Sequence, residues 1–456
     1  MTARSMAALR REIAVVSHLS IPVVLSQLGL MAMGVVDTLM VGRLGVNELG
    51  ASALGNAWQW AWVSLGMGLV IGIDPLISQA HGKGDGPGTA LGLQRGVVLA
   101  LIVSVPIMLA LAFTREGLLL VGQDPVVAEL AHRYNVLKLP TVPCFLTYTA
   151  LRQYLQGRTL MAPATWVIWI ANILHALLNW ALIFGRLGSP ALGIEGAAIA
   201  SSISMALLMI GLIAWVRVFR LHEGAWRPWD RACIDGRGLL QAVRLGLPVG
   251  LQLWFEACAF TASTLMAGWL GRSDLAGHNI VLNLAALSFM VPLGVSQGAS
   301  TRVGNLIGAG DLPGMQRAVQ ASLLLGASVM AVSALLFTLL RFELPRLYSG
   351  DPAVVLAAAQ VFPLAAAFQL SDGTQVVAGG VLRGMGRPDA AAIVNLAGYF
   401  VVALPLAYFL GFSQGRGLIG VWFALALGLT LVAGLLVLWV ARVARRPLSA
   451  LSMTAR

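Results

Sequence analysis

Charge is scarce in this chain. Only 11% of its 456 residues are charged, while 58% are hydrophobic. An ordinary soluble domain carries roughly 25% charged residues, so a soluble globular protein is excluded. Cysteine is scarcer still: Cys144, Cys233 and Cys258 lie far apart with no CxxC spacing. Neither a disulfide framework nor a zinc site fits that pattern. Glycine-rich nucleotide-binding fingerprints are absent, which argues against ATP-driven work by this chain. No paired histidines, nucleophile motif or metal spacing appears, so no enzyme activity and no cofactor is expected. The net charge of +11 comes from residues spread over short loops, with no basic helix carrying interleaved aromatics. Nucleic acid is therefore not an expected partner.

What the chain has is apolar length. A helix needs about 20 apolar residues to cross a bilayer, and such runs recur from end to end. Punctuation by polar residues, Gly and Pro predicts twelve spans, near 14–41, 49–79, 92–114, 127–156, 163–185, 192–216, 239–270, 275–308, 317–341, 353–382, 389–412 and 417–441. The fold class is an all-α polytopic membrane protein. The opening "MTARSMAALRREIAVVSHLS" leads into the first run with no small-residue cleavage site, and reads as a retained helix. Of the 30 Lys and Arg residues, 21 fall at the termini and even-numbered connections on this map. The positive-inside rule then predicts both termini to be cytoplasmic.

The sequence also repeats itself. Shifted by 226 residues without gaps, 19–88 aligns with 245–314 at 18 identities in 70 positions. "DTLMVGRLG" falls on "STLMAGWLG", "GKGDGPG" on "GAGDLPG", and Pro22 on Pro248. The expected organisation is an amino-terminal six-helix lobe (1–220), a cytoplasmic linker (221–238) and a carboxyl-terminal six-helix lobe (239–456). Six is even, so the two halves form a parallel repeat about an axis along the membrane normal.

Four carboxylates fall inside spans: Asp37, Asp74, Glu256 and Asp372. Burying a charge there costs roughly 2.5–3.5 kcal/mol on insertion scales. Desolvation favours the neutral form of an unpaired carboxylate, which suits it to exchange protons or to hold a cation. No intramembrane lysine stands out as their partner, and Arg152 and Arg383 sit at span ends where they can snorkel. Asp372, in "SDGTQ", has small polar neighbours suited to a cavity, whereas Glu256 sits in apolar "LWFEACAF". Asp74 precedes Pro75, and a structural role is expected there. Asn179 needs a buried partner. Gln27 shares a helix face with Leu30 and Gly34 and is a candidate substrate contact. His18 and His175 have no second ligand nearby in the sequence and read as packing residues. The aromatic residues Trp58, Trp60, Trp62 and Trp254 suit an interfacial belt better than a cation pocket.

"SIPVVLSQLGLMAMGVVDTLMVGRLG", "GIDPLISQAHGKGD", "LPVGLQLWFEACAF" and "VVAGGVLRGMGRPD" resemble the first, second, seventh and tenth helices of multidrug and toxic compound extrusion (MATE) transporters. The likeness runs along essentially the whole chain and is closest to the NorM-type branch. It implies a V-shaped bundle of two lobes in a bacterial-type inner membrane, working as a monomer. It implies export of small organic cations in antiport with H⁺ or Na⁺. On that resemblance Asp37 and Asn179 match an amino-lobe polar site, with Pro22 as the hinge of the first helix. Glu256 and Asp372 match a carboxyl-lobe cation and substrate site, where Na⁺ is an alternative to H⁺. Two positions depart from relatives. Phe368 stands where some have a Tyr beside the sodium site, and Ile183 stands where archaeal members have a second acid. A flippase for a lipid-linked precursor and a non-transporting receptor or scaffold remain the alternatives.

Overall fold

The computed structural model describes residues 3–453, and among these there is no β-strand. The first half contains α1 (Ala3–Val41), α2 (Val46–Ile71), α3 (Asp74–Gly82), α4 (Gly86–Ala112), α5 (Thr114–Leu120), α6 (Pro125–Leu137), α7 (Thr141–Gly157), α8 (Ala162–Phe184) and α9 (Gly193–Val218). The second half contains α10 (Gly236–Leu270), α11 (Arg272–Gly308), α12 (Leu312–Leu339), α13 (Glu343–Arg346), α14 (Pro352–Gly384), α15 (Pro388–Leu396), α16 (Leu404–Tyr408) and α17 (Gly417–Val443). Eleven of the expected spans are helices long and apolar enough to cross a membrane.

The fourth span is broken. α6 ends at Leu137, and α7 begins at Thr141 after a turn through Lys138, Leu139 and Pro140. Proline lacks an N–H and disfavours helical backbone in the residue before it. Thr141 closes the gap by donating both its N–H (2.9 Å) and its hydroxyl (2.6 Å) to the Lys138 carbonyl.

The repeat is visible in the backbone. Asp85 and Asp311, 226 positions apart, cap α4 and α12, each accepting a 2.8 Å bond from the N–H three residues on (Gly88 and Gly314). Just before them Gly84 and Gly310 both take left-handed backbone, φ +78° and +77°, where glycine alone has no Cβ penalty. Asp124 and Asp351 likewise cap α6 and α14 through Val126 and Ala353, at 2.9 Å each.

The chain forms two compact units. One runs Leu25–Gly250; the other combines the chain up to Val24 with the chain from Leu251 onward. Helices α1 and α10 are therefore divided between units, each two residues after its proline, Pro22 and Pro248. Glycines explain the arrangement. On α2 a Cβ at Gly68 would fall 2.2 Å from Cα of Gly250, and one at Gly72 2.2 Å from Cα of Gly246. The beginning of α10 thus lies backbone to backbone on α2. In the other unit Gly294 and Gly298 of α11 admit α1 closely through its side chains, a Cβ there falling 2.4 Å from Val24 Cγ2 and 2.7 Å from Ser20 Oγ. Small residues at crossings permit close helix approach in a bilayer. Arg302 of α11 adds a two-point ion pair with Glu12 of α1, at 3.0 and 2.8 Å.

The 6–7 connection is docked rather than loose. Tyr154 donates to the Ala225 carbonyl (2.6 Å), Gln94 to the Arg227 carbonyl (3.0 Å), and Arg158 to the Leu221 and Glu223 carbonyls.

Candidate functional site

In the Leu25–Gly250 unit, Asp37 is the centre of a polar cluster buried among apolar helices. On α8, His175 and Asn179 are four residues apart and so share a face. Asn179 Nδ2 donates to Asp37 Oδ1 at 2.6 Å, and His175 Nε2 meets the same oxygen at 2.9 Å. Ser201 of α9 donates to Asp37 Oδ2 at 3.2 Å. His175 Nδ1 lies 3.0 Å from Ser204 Oγ. Asn179 and Ser204 are fully buried, and His175 is nearly so. The packing role read for His175 is thus corrected: its ring faces the carboxylate.

A cation also belongs to this cluster. Lys138 stands at the C-cap of α6, where the negative end of the helix dipole favours it. It is buried, and donates to Asn56 Oδ1 at 2.7 Å and to the Tyr134 hydroxyl at 3.4 Å. Asp37 and Lys138 interact coulombically, and Tyr134 faces Asp37 and Ser201. No ion pair joins Lys138 to Asp37, but its buried charge acts on the carboxylate, which the sequence reading did not foresee. Taking 127–156 as one unbroken span concealed this residue, whereas the Lys-Leu-Pro run was the available signal. Arg152 is corrected too: it is buried on α7, 4% exposed, and does not snorkel.

The other unit holds Glu256 on α10 and Asp372 on α14. Asp372 is buried and accepts a 3.2 Å bond from Gln375, three residues on. Glu256 and Asp372 interact coulombically with each other and with the buried Tyr399. Tyr399 lies in a π-helical stretch, Ala397–Ala403, a wider turn often found at functional positions. Among the described residues neither carboxylate forms an ion pair with Lys or Arg. Phe368, one turn before Asp372, is buried and packs edge-on against Phe260 (6.0 Å) and Trp422 (5.7 Å). Trp422 Nε1 in turn donates to His278 Nδ1 at 3.1 Å. Phe368 brings no oxygen to Asp372.

The remaining candidates lie apart from these contacts. Asp74 is buried at the start of α3, its backbone carbonyl accepting from Ser78. Gln27 is half-buried on α1 with no side-chain hydrogen bond among the described residues. The two clusters differ in balance. Asp37 has donors and a cation, whereas Glu256 and Asp372 have each other.

Residues 22–181 and 248–409 match the MatE family model, in two stretches that start at the repeat prolines. The chain belongs to the MatE family. MatE proteins are transporters, not enzymes. The chain is similar to the probable multidrug resistance protein NorM of Mesorhizobium japonicum, 36% identical over 442 residues, covering 94% of this chain and 93% of that one. It is similar to the multidrug resistance protein NorM of Aliivibrio fischeri, 32% identical over 448 residues (95% and 96%). Among solved structures, the eukaryotic MATE transporter AtDTX14 superposes with a TM-score of 0.89 at 24% identity, covering 98% of this chain and all of that one. That likeness is one of MatE fold.

Proposed function

We propose that this protein exports lipophilic organic cations from the cell in exchange for inward-moving H⁺, as a monomer in the inner membrane with both termini cytoplasmic. The relatives are named for multidrug resistance, and the site chemistry supports a cationic cargo. The observation that carries the reading is the pair Glu256 and Asp372. Two interacting carboxylates, without a Lys or Arg ion pair among the described residues, offer a place for a cation or a proton inside the membrane. H⁺ and drug cation then compete for one pair of acids. When the site faces outward, protons enter and the drug leaves; when it faces inward, the proton leaves and the drug binds. Each tenfold difference in affinity corresponds to about 1.4 kcal/mol of coupling. Phe260, one turn after Glu256 and only partly buried, suits the lipophilic part of such a cargo, and Phe368, which adds no oxygen beside Asp372, favours H⁺ over Na⁺. In this reading Asp37 and Asn179 form a second, amino-lobe coupling group, Gln27 contacts substrate, and Pro22 lets the first helix flex.

The test is ethidium efflux from energised vesicles under an imposed pH or Na⁺ gradient, comparing wild type with Asp372→Asn and Glu256→Gln. Export under the pH gradient alone, lost in both variants, is the expected result. Variants that export normally would remove the carboxyl-lobe site from the mechanism. Export under the Na⁺ gradient alone would replace the coupling ion. A wild type that moves no cation would turn attention to lipid-linked precursors.

A further inference from the structure

The hydrogen bonds around His175 assign its protons. Ser204 Oγ stands 2.7 Å from the Ala200 carbonyl, which can only accept, so the single hydroxyl proton is used there. Ser204 must then accept from His175 Nδ1 at 3.0 Å, and Nδ1 carries a proton. The other ring nitrogen, Nε2, faces Asp37 Oδ1 at 2.9 Å. A lone pair on Nε2 and an ionised oxygen cannot face each other at that distance without repulsion. Two arrangements remain. With Asp37 ionised, His175 is an imidazolium donating from both nitrogens; with His175 neutral, Asp37 carries the proton and donates to Nε2.

We propose that Asp37 and His175 share one proton, so that His175 is a second residence for the proton held at the amino-lobe site. The claim builds on the reading of Asp37 as a coupling group and goes beyond it by making the proton carrier a carboxyl–imidazole pair. The surrounding groups fit. Asn179 Nδ2, which can only donate, bonds Asp37 Oδ1 in either arrangement and reaches Nε2, at 3.1 Å, as a donor only when that nitrogen carries no proton. Ser201 supports the other carboxylate oxygen. The remaining titratable groups facing Asp37 are Lys138 and Tyr134, both from the end of α6. Lys138 adds positive charge beside the pair and so favours the arrangement with Asp37 ionised. Moving the proton between Oδ1 and Nε2 needs no change of partners, only of which atom donates. Histidine suits this use because its ordinary titration lies near neutral pH.

The test is ¹⁵N NMR of the full-length protein with labelled histidine, reading the protonation of each ring nitrogen. The His175 signals are assigned by their loss in His175→Gln. Wild type is expected to show Nδ1 protonated at every pH, with Nε2 protonated and Asp37 ionised while the pair holds its proton. Asp37→Asn is expected to leave a neutral ring protonated at Nδ1. A neutral wild-type ring with its proton on Nε2, or a ring state indifferent to Asp37→Asn, overturns the proposal. This readout needs no transport and stands whatever the cargo. In the vesicle assay, His175→Gln is expected to move the midpoint of pH-driven export downward, because one of the two residences of the shared proton is lost. An unmoved midpoint in an exporting variant also overturns the proposal, whereas failure of the wild type to respond to pH bears on the antiport reading alone.

Discussion

Lys138 and Asp37 are joined by charge although they do not touch. The ammonium is held by Asn56 Oδ1 at 2.7 Å, and the carboxylate by Asn179 Nδ2 at 2.6 Å. Removing one member of a buried, interacting pair leaves the other uncompensated, whereas removing both can be far milder. Lys138→Met and Asp37→Asn are each expected to lower thermal stability in detergent, and the double variant to lose less than their sum. Coupling energies between interacting residues run to about 0.5–3 kcal/mol. Additive losses in the double-mutant cycle would show that the two charges do not share a site.

Much of the architecture was legible because a bilayer imposes it. Apolar runs of the required length announce the spans, and the 226-residue shift predicts that Asp85 and Asp311 do the same work, as their matching caps show. The polar clusters were legible only in part. A carboxylate in an apolar run advertises itself, which is why Asp37, Glu256 and Asp372 stood out. His175 did not, since one histidine carries no pattern until folding brings α1 beside α8. Lys138 was hidden by the apolar flanks that made 127–156 look like one helix. Tyr399 gave no signal, because its importance lies in a π-helical turn that apolar sequence does not mark. The division of α1 and α10 between units could not be read either. It depends on Gly68 and Gly294 meeting partners far away in the chain.

The twin caps allow an internal comparison. A side-chain cap replaced by alanine costs about 0.5–2 kcal/mol. Asp85 and Asp311 have the same bond length to the same kind of partner, and each follows a left-handed glycine. Asp85→Ala and Asp311→Ala are therefore expected to lower the unfolding temperature by similar amounts, with little effect on export. A loss confined to one of them, measured by thermal unfolding in detergent, would mean that the repeat has diverged in energy where it has not in geometry.

The glycine crossings, by contrast, should respond unequally to the same change. A methyl at Gly68 meets backbone, with Gly250 Cα at 2.2 Å and its nitrogen at 2.4 Å, so neither helix can yield without separating. At the repeat-related Gly294 the nearest atom is Val24 Cγ2, at 2.4 Å, with the Val24 nitrogen only at 3.0 Å. A side-chain rotamer can relieve most of that clash. Overpacking costs typically about 1–3 kcal/mol. Gly68→Ala is expected at or above the top of that range and Gly294→Ala near its bottom. Thermal unfolding of the two purified variants decides the order. Equal losses, or a greater loss at Gly294, would mean that backbone contact does not set the strength of the α2–α10 crossing.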